Sequence, residues 1–177
     1  MMGGVMKGVA GLVLILAACG AFVAIAAEPD NARTAAGADA PKELFTGKVV
    51  RLSEAFERRG VRAYPEHKDQ VAIETDDGEL IPIVSDWRGR AFFQDERLRD
   101  RKVQLVGTRP KETPYLQVLM IFTFDEDGER QYTDYWCDIC SIPMYEIKPC
   151  DCCQGDVRLR FQPQELPDYV RSKVKAE

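Results

Sequence analysis

The chain has 177 residues, with 24 Lys and Arg against 29 Asp and Glu, one His and six Cys, for a formal charge of −5. That length holds one domain with an appendage and excludes a two-domain dehydrogenase or a barrel of alternating strands and helices. The acidic balance argues against general nucleic-acid binding, which needs a basic surface, and the single His excludes a His-rich metal enzyme.

The N-terminus carries a targeting pattern. Lys7 is the only charge before Glu28, and the 20 residues Gly8 to Ala27 are apolar or small. A lone positive charge ahead of such a run predicts an export signal or anchor helix over residues 1–27. Three outcomes stay open. Leu16-Ala17-Ala18-Cys19 resembles the lipobox of bacterial lipoproteins, which implies lipidation of Cys19. Ala24-Ile25-Ala26 offers a small-x-small cleavage site and a soluble product. Left uncleaved, the run reaches about 30 Å as a helix, enough to span a bilayer. Each outcome places the remainder outside the cytoplasm, in the cell envelope or periplasm, tethered to the membrane or soluble. Residues 28–42, rich in Ala, Pro, Gly and Asp, lack any large apolar side chain and predict a flexible tether.

The body, residues 43–134, is a series of short strands. Leu44 to Leu52 alternates as a first strand, with Gly47 marking a bulge. Ser53 to Gly60 predicts one short helix, with Ser53 as N-cap, Phe56 on the buried face and Gly60 as the stop. Gln70–Thr75 and Glu79–Val84 flank Asp76-Asp77-Gly78, a strong hairpin signal. Pro82 cannot donate to a ladder, so its strand belongs at an edge or its missing N–H faces outward. Lys102–Arg109 and Tyr115–Phe124 are further strands. Asp125-Glu126-Asp127-Gly128 turns the chain, and Gln131–Trp136 returns. The turn faintly echoes a calcium loop, but Thr123 and Asp134 then stand where an Asp and a Glu are wanted, so a hairpin is the better reading. The expected fold class is mainly all-β: a small antiparallel barrel with one short helix.

Gly47-Lys48-Val49-Val50, then Asp77-Gly78-Glu79-Leu80-Ile81-Pro82-Ile83, then Lys102-Val103-Gln104-Leu105-Val106-Gly107-Thr108 resemble, in that order, the compact OB-folds of exported bacterial proteins. The resemblance covers about residues 44–124. It implies a binding scaffold for an unidentified protein or small molecule and names no binding residue.

Residues 135–161 carry the chemistry. Cys137-Asp138-Ile139-Cys140 and Cys150-Asp151-Cys152-Cys153 give the spacing C-x2-C-x9-C-x2-C. Two Cys-x-x-Cys turns can each clamp one side of a tetrahedral ion through thiolates at about 2.3 Å. Soft thiolates favour zinc, with iron as the alternative. The segment resembles a zinc ribbon, with Val157–Phe161 as its closing strand. Ser141 replaces the Gly that often follows the first pair, and the doubled Cys leaves the fourth ligand open between Cys153 and Cys152. A four-thiolate site has no open position, so its role is structural. Disulfides are the competing use of these cysteines in an exported protein. Trp136-Cys137-Asp138-Ile139-Cys140 also looks like the thioredoxin motif, which would make Cys137 and Cys140 a thiol–disulfide oxidoreductase pair. A rubredoxin-like iron site would transfer electrons.

Three features carry less. His67 sits in a polar loop without a partner at ligand spacing. Asp86 to Lys102 holds six basic residues among aromatics, interrupted by acids, and reads as an internally paired surface with Trp87 and the Phe pair packed on the barrel. Residues 162–177 form a tail with a turn around Asp168–Val170. The combined expectation is an exported, membrane-tethered, non-catalytic binding or assembly module with a structural four-cysteine metal site.

Overall fold

The computed structural model describes residues 40–170. The targeting run, Cys19 and most of the tether lie outside the described residues. Within the described residues the chain is mainly antiparallel sheet. The strands are β1 (Lys42–Arg51), β2 (Val71–Thr75), β3 (Leu80–Pro82), β4 (Lys102–Thr108), β5 (Gln117–Phe124), β6 (Arg130–Cys137), β7 (Ile142–Met144) and β8 (Arg158–Pro163). They run in the order β3-β2-β1-β4-β5-β6-β7, and β8 pairs with β6.

Gln131 and Tyr132 of β6 pair with both β5 and β8, and Tyr135 and Trp136 pair with both β7 and β8. A strand has two hydrogen-bonding edges. β8 therefore lines one edge of β6, while β5 and β7 follow each other along the other.

β1 is long because it serves two neighbours: Lys42 to Lys48 pair with β4 and Gly47 to Arg51 with β2. Gly47 lies where the two ladders overlap. It forms no bulge there; a Cβ at this position would sit 2.1 Å from the Glu74 carbonyl oxygen. The bulge falls instead in the β4–β5 ladder, between Val106 and Gly107.

Both Asp-containing hairpins form. Thr75 N–H donates to Glu79 at 2.9 Å, and Asp125 N–H to Glu129 at 3.1 Å. Pro82 ends β3 with its carbonyl turned away from β2 to accept the Leu116 N–H at 2.8 Å, so its missing N–H costs the β2–β3 ladder nothing. A parallel bridge, Ile83 to Leu116, links the end of β3 to the start of β5. No continuous ladder follows from it among the described residues, so the sheet is not closed.

Within residues 43–134 two α-helices form, not one. α1 (Leu52–Arg58) begins a residue before the expected cap; Ser53 lies inside it, and Leu52 and Ala55 are its buried residues. α2 (Arg90–Gln94) lies in the basic segment. Asp86 initiates it by accepting the Arg88 and Gly89 N–H groups at 3.2 and 3.0 Å, an Asx turn whose signal is local.

The pleat splits the core in two. One cluster joins β1, β2, β4 and β5 to α2 through residues such as Val49, Ile73, Leu105, Val118 and Phe92. Neighbouring residues in a strand face opposite sides, so Val106 and Phe122 point the other way. There Leu166 and Val170 cover them: the tail is packed structure at least as far as Val170.

Candidate metal centre

β6 delivers Cys137 to its own last position, and Ile142 of β7 pairs with it. The four residues between make a tight turn, in which Ser141 N–H donates to the Cys137 carbonyl at 2.8 Å. The second turn repeats this arrangement: Gln154 N–H donates to the Cys150 carbonyl at 2.9 Å. Ser141 and Gln154 both take left-handed backbone, with φ 54° and 59°. Ser141 thus fills the position where glycine is common, and Gln154 is its counterpart in the second turn. Gly155 instead lies close against the side chains of both turns. A Cβ there would lie 3.0 Å from Ile139 Cδ1 and 3.3 Å from Cys153 Sγ.

The two turns meet because β8 returns beside β6, with Arg158 opposite Trp136. This brings the sulfurs of Cys137, Cys140, Cys150 and Cys153 within 4.8 Å of one another. Cys137 and Cys153 are the close pair at 3.5 Å. A tetrahedral ion with bonds of about 2.3 Å needs sulfur–sulfur edges of about 3.8 Å. The four residues therefore fit a metal ion. Cys152 is exposed and outside the group of four. All five described cysteines are free thiols.

Backbone amides are aimed at the sulfurs. Cys140 N–H donates to Cys137 Sγ at 3.5 Å, and Gly155 N–H to Cys153 Sγ at 3.4 Å. The amides of Cys153 and Cys152, with thiol donors beside them, pull the Cys150 thiol down to about 7. Cys152 and then Cys153 push the Cys140 thiol up. At Cys137 the pull of the Cys140 amide is outweighed by burial and by the Cys150 and Cys153 thiols, and the net shift is upward. Four thiols at this spacing share protons, which a cation would displace.

Sequence reasoning did not single out the ions that hold the turns. Asp138 and Asp151 each follow the first Cys of a pair. Arg158 grips Asp138 with two bonds, at 2.8 and 3.0 Å. Lys148 reaches Asp151 at 3.1 Å and Glu146 at 3.0 Å. Glu146, 5% exposed, also meets Arg90 of α2 at 2.5 Å. The repeated Cys-Asp step is the signal that would have found them. Arg158 and Lys148 thus each neutralise the Asp of one turn.

The remaining expectations resolve locally. His67 accepts the Tyr64 N–H on Nδ1 at 3.1 Å and packs edge-on against Phe56, so it holds its own loop. Thr123 bonds Thr133, and Asp134 is paired with Arg160; the turn between their strands is a hairpin. Each basic residue from Arg88 to Lys102 has a partner within the protein. Phe92 is buried, but Trp87 is 51% exposed and packs edge-on against Tyr145. Among the described residues no helix is long and apolar enough to cross a membrane. No protein-family model, no curated protein and no solved structure matches this chain.

Proposed function

We propose that this protein is an exported, membrane-tethered, non-catalytic binding or assembly module whose C-terminal part is locked by a structural zinc ion on Cys137, Cys140, Cys150 and Cys153. The observation that carries the reading is the gathering of these four sulfurs within 4.8 Å. Metal binding to such a segment supplies folding energy that its own small core lacks. Export and tethering are supported by the apolar run from Gly8 to Ala27 with Lys7 before it. The OB-like reading is supported by the strand order β3-β2-β1-β4-β5, by α2 between β3 and β4, and by the Ile83–Leu116 bridge.

Thiol–disulfide catalysis fits the site less well. A nucleophilic cysteine is accessible and sits in an electropositive place, often a helix N-terminus. Cys137 is buried at the end of a strand, and its thiol is pushed up.

Metal analysis of the purified full-length chain tests the proposal. One zinc per chain is expected, lost on Cys137→Ser or Cys150→Ser. A visible thiolate-to-iron band would replace zinc by iron. A full-length chain with no metal and no more than two free thiols, Cys19 and one left over from two disulfides, would overturn the metal site in favour of disulfides.

A further inference from the structure

Among the described residues β8 has a strand on one side only. Gln164 N–H donates to the Arg130 carbonyl at 3.4 Å, so Arg130 and Gln164 are a hydrogen-bonded pair continuing the β6–β8 ladder. Such pairs recur at every second residue, which makes Tyr132–Gln162, Asp134–Arg160 and Trp136–Arg158 the next ones in the register. Leu159 and Phe161 therefore aim their N–H and C=O groups away from β6. Phe161 is 43% exposed. Pro163 ends this open edge, because it has no N–H to offer.

A cleft of about 530 Å³ opens beside the edge, and Phe161 belongs to both. Thr123 and Gln131 also line it, and their polar atoms are already engaged: Thr123 with Thr133 at 3.0 Å, and Gln131 Nε2 with Asp125 at 2.7 Å. Arg101 donates to the Phe124 carbonyl at 2.8 Å and lies 5.6 Å from the Phe161 ring centre. What the cleft offers an occupant is thus mainly apolar surface. Its rim is acidic. Asp125 and Glu126 line it, and four of the five residues from Asp125 to Glu129 are acids. Glu126, Asp127 and Glu129 pair with no cation among the described residues.

We propose that the β8 edge and its cleft bind an extended peptide segment in which a large apolar residue stands two positions from a Lys or Arg. The segment adds as a strand to the free groups of Leu159 and Phe161. Residues two apart on a strand share a face. The apolar one lies against Phe161 at the cleft, and the basic one meets the acidic rim. A second copy of this chain fits less well. Antiparallel pairing of two β8 strands through the same groups sets Leu159 opposite Phe161 and so brings Arg160 against its own copy, and like charges directly opposite are unfavourable. The proposal rests on the binding-module reading and gives it a partner.

The test titrates the full-length chain with the capped peptide Lys-Thr-Phe-Thr-Lys, whose symmetry serves either strand direction. Saturable binding with a dissociation constant on the order of 100 µM is expected. Alanine in place of the peptide's Phe, or Phe161→Ala in the protein, is expected to weaken it about tenfold. Glu126 is exposed, so Glu126→Lys leaves the fold intact and is expected to weaken binding about threefold. N-methylation of the peptide separates strand addition from simple filling of the cleft. A methyl on the Phe amide removes binding to an antiparallel neighbour, and methyls on both Thr amides remove it for a parallel one. Binding that survives both methylations overturns the proposal, as does the absence of saturable binding below about 2 mM. Binding that appears only after residues 171–177 are deleted also overturns it, since the chain's own tail then holds the edge. So does a dimer that the peptide splits, since a second copy then holds it. A chain with one zinc that ignores the peptide loses this partner and keeps its metal site; a metal-free chain that binds the peptide loses the metal site alone.

Discussion

Ser141 and Gln154 close the two cysteine turns in left-handed backbone, a conformation that costs an L side chain of order 1 kcal/mol. Gln154→Gly is therefore expected to stabilise the folded protein by about 0.5 kcal/mol, after glycine's own entropy cost. The check is a higher urea midpoint at unchanged slope. Arg160 carries more. It grips the carboxylate of Asp134, 3% exposed, with bonds of 2.8 and 2.5 Å, and lies 3.5 Å from the Trp136 ring centre. Arg160→Ala strands a buried charge and is expected to lose about 3 kcal/mol. Arg160→Lys recovers only part, because an ammonium cannot form the paired bonds. A loss under about 1 kcal/mol in urea unfolding would put this pair among ordinary surface ion pairs. Nothing in the sequence marks Asp134 and Arg160 as partners. They meet because the β6–β8 register sets them opposite one another.

At the scale of elements, two carboxylates tie separate pieces together. Asp95 joins α2 to the 3₁₀ turn Glu96–Leu98 and accepts the Tyr135 hydroxyl of β6 at 2.7 Å. Burial opposes its ionisation, but the Arg97 and Tyr135 bonds outweigh burial and hold it below its ordinary value. Glu146 ties the loop between the cysteine turns to α2. Burial again opposes ionisation, and Lys148 and Arg90 again prevail. A lowered folded value means the unfolded chain binds the proton more readily. The stabilisation is thus present above the ordinary values, 3.8 for Asp95 and 4.5 for Glu146, and is lost as pH falls through the lowered folded ones. The thermal midpoint is expected to fall steeply below about pH 4, and Asp95→Asn or Glu146→Gln to flatten that acid limb. Any loss of metal in acid would be common to wild type and variants, so an unchanged difference between them at every pH would contradict this assignment. Strands and hairpins were legible at this scale, because alternation and Asp-Gly turns are local signals. α2 was not. Its five residues show no helical period, and what buries Phe92 is the sheet beneath it.

For the whole molecule, the consequential feature is that β6 belongs to two structures. Its first half pairs with β5, and its last residue is Cys137. Removing the metal is therefore expected to loosen one end of the sheet without melting the rest. After chelation, hydrogen exchange should lose protection over β7, the cysteine turns and the β6–β8 ladder. β1, β2 and β4, around Val49, Ile73 and Leu105, should keep theirs. Uniform loss across all strands would show instead that the ion supports the whole fold. The sequence by itself determined the strand-rich class, both hairpins and the two Cys-x-x-Cys turns, because each is written in neighbouring residues. The tertiary structure alone decided that Cys153 and not Cys152 joins the cluster, that Leu166 and Val170 cover the back of the sheet, and that Arg158 and Lys148 brace the turns. Those outcomes depend on where β8 lies against β6, a pairing between distant segments that no local pattern encodes.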